Sequence, residues 1–150
     1  ICGWGPTALL PIFNILGEQY IKKHIISHID EEGHDQFTKI DFLYKDAVAS
    51  AKVAKGVKSE GELIVSGTKG YIYVPAPWWK TDYFEIRYED SSQNRRCFYQ
   101  LDGEGIRYEL VAFIKAIESG KNLSLINNKI SKSICEIVAD YYAKTDVDII

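Results

Sequence analysis

The chain has 150 residues, 46% of them hydrophobic, 13% aromatic and 26% charged, which is enough apolar material for one core and one domain. Its 18 basic and 21 acidic residues leave a net charge of -3 with neither sign clustered, which argues against the basic face that nucleic acid or an anionic membrane requires. No apolar run approaches the roughly 18 residues of a membrane span.

The first element reads as a helix. Leu9, Leu10, Phe13 and Leu16 recur at helical spacing, Pro6 suits a helix start and Gly17 suits the position after its end. Pro11 would break a helix interior, so regular helix is expected to begin near Leu9 or to bend at Pro11.

From residue 20 to residue 101 the texture is that of strands. Segments 20–29 and 36–44 come first. In the second, Thr38, Ile40, Phe42 and Tyr44 alternate with Phe37, Lys39, Asp41 and Leu43, the period of a half-buried strand. A small-residue strand over 47–55 follows, then a polar stretch over 56–61. Segments 62–66 and 70–74 flank the Gly67-Thr68-Lys69-Gly70 hairpin turn. Segments 82–89 and 95–101 flank a second turn signal, Asp90-Ser91-Ser92-Gln93-Asn94. Short connections favour antiparallel neighbours.

Helical texture then returns. Asp102-Gly103-Glu104 can cap a helix whose stripe is Ile106, Leu110, Phe113, Ile114 and Ile117, stopped by Gly120. A last helix from about Asn128 carries Ile130, Ile134, Ile137, Val138 and Tyr141. The tail 145–150 reads as a frayed end or the stub of something longer. The order predicts an α+β fold: one large, mainly antiparallel sheet of about seven strands with helices on one face. The expected organisation is a single domain over 1–150.

The chemistry-bearing motifs are few. Cys2, Cys97 and Cys135 are widely spaced, with no CxxC and no Cys/His metal spacing, so reduced thiols in a cytoplasmic protein are expected, without metal. No signal-peptide pattern opens the sequence. Asn122-Leu123-Ser124 is formally a glycosylation sequon, expected to be silent in such a protein. Gly103-Glu104-Gly105 is half of a dinucleotide fingerprint but follows a hairpin, and Gly67-Thr68-Lys69-Gly70 lacks the GK[ST] of a P-loop. No cofactor site is therefore expected within this chain. No nucleophile constellation or HExxH is found, and the catalytic residues are unknown. His24 and His28 lie four apart in a strand, on one face but roughly 13 Å from each other, too far for a shared metal. They read as ordinary sheet histidines, or as donors to a substrate if that face meets one.

The most unusual stretch is Pro75-Ala76-Pro77-Trp78-Trp79-Lys80, between two strands. Indole faces stack on sugar rings and a lysine binds hydroxyls or phosphate, so Trp78, Trp79 and Lys80 are candidate substrate contacts. The alternative is that both Trp cap the sheet core or fill a subunit interface.

Three segments together resemble the C-terminal domain of the Gfo/Idh/MocA family of NAD(P)-dependent oxidoreductases. GELIVSGTKGYIYVP at 61–75 is similar to the family's GTKG-x-I-x-V-P hairpin. Residues 101–118 are similar to its G-x-G-x-x-x-E-x-x-x-F-x-x-x-I helix start, with Glu109, Phe113 and Ile117 in register. Residues 8–17 are similar to its helix ending in LLG.

The resemblance implies a Rossmann domain upstream, absent from this chain, that binds NAD or NADP. It implies a sugar or sugar-derivative substrate, and a homo-oligomer formed through the sheet. The missing Met agrees with it, since Ile1 would then follow the domain junction. At that junction the family carries D-x-x-x-H or D-x-x-x-Y, whose last residue supports acid–base work. Counting from the two ends of that segment places Trp4 or Thr7 there, and neither titrates near neutral pH. No catalytic residue is carried over; Trp4 and Thr7 join Trp78, Trp79 and Lys80 as candidates for lining the substrate side. A second expectation comes from the lack of a catalytic set: a non-enzymatic α+β module that dimerises or binds carbohydrate.

Overall fold

The computed structural model describes residues 1–103, 105–121 and 126–150. In chain order the elements are α1 (Gly5–Leu16), β1 (Lys22–Ile29), β2 (Asp35–Leu43), β3 (Val48–Ala54), β4 (Leu63–Gly67), β5 (Gly70–Val74), β6 (Tyr83–Tyr88), β7 (Arg95–Phe98), α2 (Ile106–Ser119), α3 (Asn128–Tyr142) and β8 (Val147–Ile149). A short 3-10 turn, Ser91–Gln93, links β6 to β7. The chain forms two compact units. One holds Ile1–Lys58 with the stretch carrying α3 and β8; the other runs from Ser59 through α2.

The first unit is a four-stranded sheet, order β3-β2-β1-β8, with α1 and α3 supplying apolar residues to its core. The two long strands pair antiparallel, with Ile25 opposite Ile40 and Lys23 opposite Phe42. The alternation in β2 sorts as expected: Thr38, Ile40 and Phe42 are buried, and Phe37, Lys39, Asp41 and Leu43 lie on the other side. The core joins Ile25, Ile40, Phe42 and Ala51 to Leu9, Ile12 and Phe13 of α1 and to Ile130, Ile134, Ile137 and Tyr141 of α3. Phe13 packs edge-on against Phe42 at 5.5 Å between ring centroids. Ser27, Thr38 and Tyr141 are buried polar residues that satisfy one another: Ser27 Oγ lies 2.9 Å from Thr38 Oγ1 and 3.1 Å from Tyr141 Oη.

The second unit is a four-stranded antiparallel sheet, order β4-β5-β6-β7, followed by α2. None of its described residues is buried. The α2 stripe is real in sequence but stays open: Ile106, Leu110, Phe113, Ile114 and Ile117 are all exposed.

Three expectations are corrected. The strands form two sheets of four, not one of about seven. The β2–β3 ladder ends at the polar stretch after β3, where the Lys55 and Gly56 amides both donate to the Gln36 carbonyl. Gly61 then takes a left-handed φ of 76°, and β4 pairs with β5. The tail is an eighth strand: β8 lies parallel to β1, with Ile26 opposite Asp148. Finally, α1 begins at Gly5 and continues through Pro11. Ile1 and Trp4 carbonyls accept from the Gly5 and Ala8 amides and extend the helix upstream. The capping expectation at 102–104 falls partly on Glu104, outside the described residues; Gly105 precedes α2, with no side-chain cap among them. The sequon at 122–124 also lies outside the described residues.

Candidate functional site

The aromatic loop joins β5 to β6. The Ala76–Pro77 bond is cis, and the Lys80 amide donates to the Pro77 carbonyl at 2.8 Å, closing a tight turn. The Trp78 amide donates to the Gly61 carbonyl at 3.0 Å, which ties the loop to the segment entering β4. The two indoles meet edge to face, 6.0 Å apart with planes at 90°. Trp78 is half-buried, whereas Trp79 is 43% exposed and Lys80 is exposed. Neither Trp is a core residue; Trp79 is the more exposed of the two, on a turn held by backbone hydrogen bonds.

Trp4 and Thr7 belong to the first unit. Trp4 stands immediately before α1 and is 56% exposed; Thr7 lies in the first turn, half-buried. Pro11 has no N–H, so the Thr7 carbonyl receives no helical hydrogen bond from position 11.

The structure adds Lys23, Glu85, Arg87 and Arg96, which sequence reading passed over. Lys23 is buried on the core face of β1 and reaches Asp140 at 3.0 Å and Asp146 at 3.3 Å. Burial works against its charge, but the hydrogen bonds to those two carboxylates prevail and raise its pKa. His24 Nε2 lies 2.8 Å from Asp148, and His28 Nδ1 lies 3.0 Å from the Ile150 carbonyl, so both histidines tie β1 to β8. On the second sheet Glu85 accepts from Arg96 and Arg87, whose guanidiniums hold its carboxyl below the usual range. Arg87 also stacks 4.5 Å from the Tyr73 ring, and Arg96 4.8 Å from Tyr83.

Cys2, Cys97 and Cys135 are free thiols. Among the described residues no three His, Cys, Asp or Glu could hold a metal ion, and no helix is long and apolar enough to cross a membrane. The described residues do not form the glycine-turn unit that binds a nicotinamide dinucleotide in a Rossmann domain. The parallel pair among them is β1 with β8, and α2 is followed by α3, so no strand–glycine turn–helix–strand crossover encloses Gly103 and Gly105.

No protein-family model matches the sequence, and neither does any curated protein. Solved structures do match in fold. An aldose-aldose oxidoreductase from Caulobacter crescentus, complexed with glycerol, aligns over 93% of this chain and 43% of its own length, with a TM-score of 0.72 and 17% identity. KijD10, a 3-ketoreductase from Actinomadura kijaniata in complex with TDP-benzene and NADP, aligns over 99% of this chain and 47% of its own, with a TM-score of 0.71 and 11% identity. The chain shares its fold with part of these solved oxidoreductases. The chain spans under half the length of these structures. In that fold the candidate loop is the β5–β6 connection, directly after the GTKG hairpin.

Proposed function

We propose that this chain is the C-terminal, substrate-side domain of an NAD(P)-dependent oxidoreductase that acts on a sugar or sugar derivative. The observation that supports the reading is a fold likeness over nearly the whole chain, joined to three sequence segments in the family's order. In the full protein, hydride would pass between the nicotinamide and a carbinol carbon, with NAD or NADP bound by an N-terminal Rossmann domain. Trp78, Trp79 and Lys80 would contact the sugar: the more exposed indole, Trp79, stacks on a ring face, and the ammonium binds hydroxyl or phosphate oxygen. Trp4 and Thr7 would follow the domain junction and line the substrate side. Copies of the chain would associate through a sheet.

The test is twofold. The coding sequence upstream of Ile1 should contain a strand–glycine turn–helix unit, and the protein it completes should oxidise reduced nicotinamide in the presence of an aldose or ketose. An upstream sequence without that unit overturns the reading. For the loop, Trp fluorescence of the 150-residue chain titrated with aldoses should be quenched saturably. Trp79→Ala should weaken that binding about fivefold, the worth of one stacked ring; unchanged affinity removes the loop from the site.

A further inference from the structure

We draw no further inference here: the strongest candidate, the exposed apolar stripe of Ile106, Leu110, Phe113, Ile114 and Ile117 along α2, is an unpartnered helix face, and nothing in the structure shows what covers it.

Discussion

Tyr44 ties the end of β2 to the end of α1: its hydroxyl donates to the Gly17 carbonyl at 2.8 Å, and its ring packs edge-on near Tyr20. Burial pushes its phenol up to about 12, against about 10 in an unfolded chain. The folded state thus holds this proton more tightly. The contribution to stability is full below the unfolded value and is lost as pH rises from about 10 through about 12. Tyr44→Phe should cost about 1 kcal/mol at neutral pH, the lost hydrogen bond to a carbonyl that stays behind. It should also flatten the fall of stability in that alkaline window. Urea unfolding at neutral pH and across the window checks both, and an equal alkaline slope in the variant would refute the assignment. The period-two pattern in β2 put Tyr44 on the core side, so its burial was legible. The role of Lys23 was not. A lysine on the core face of a strand makes sense only beside Asp140 and Asp146, more than a hundred residues away, and no local pattern announces that pairing.

Among the elements, the seven strands over 20–101 could be read because their turns carry Gly, Asp and Asn at the required places. β8 could not. Its three residues are too few to show a period, and the helix before it ends without glycine. The ending is nonetheless a Schellman motif: the Thr145 amide donates to the Asp140 carbonyl at 2.9 Å and the Lys144 amide to the Tyr141 carbonyl at 3.1 Å. Lys144 occupies the left-handed position with φ of 57°, where glycine is usual. Lys144→Gly should therefore stabilise the chain by about 0.5–1 kcal/mol, strain relief exceeding the entropy that glycine adds to the unfolded state. A denaturant midpoint that falls in the variant would contradict this. α1 teaches the converse. Pro11 carries its usual warning, yet the helix passes it, because Leu9, Ile12 and Phe13 bury on one side and that packing outweighs a single missing hydrogen bond.

For the whole chain, hydrophobic content predicts a core but not where it lies. All thirteen buried hydrophobic residues fall within 1–51 and 130–141, so the first unit holds the entire buried core among the described residues. The second unit has equally strong strand signals, and its sheet closes with good register, but hairpin turns and alternation specify pairing and not burial. This is also why one sheet was expected where two form: consecutive antiparallel signals do not reveal where a ladder stops. Local opening follows burial, since amides behind packed apolar side chains exchange only through large-scale unfolding. Hydrogen exchange of the wild-type chain should therefore be slowest in β1 and β2, around Ile25, Ser27, Thr38 and Ile40. It should be distinctly faster in β5 and β6, although those strands are hydrogen-bonded on both sides. Pepsin fragments covering 22–43 and 70–88 separate the two regions. If 70–88 exchanges as slowly as 22–43, the two units unfold together, and the second draws its protection from something other than its own burial.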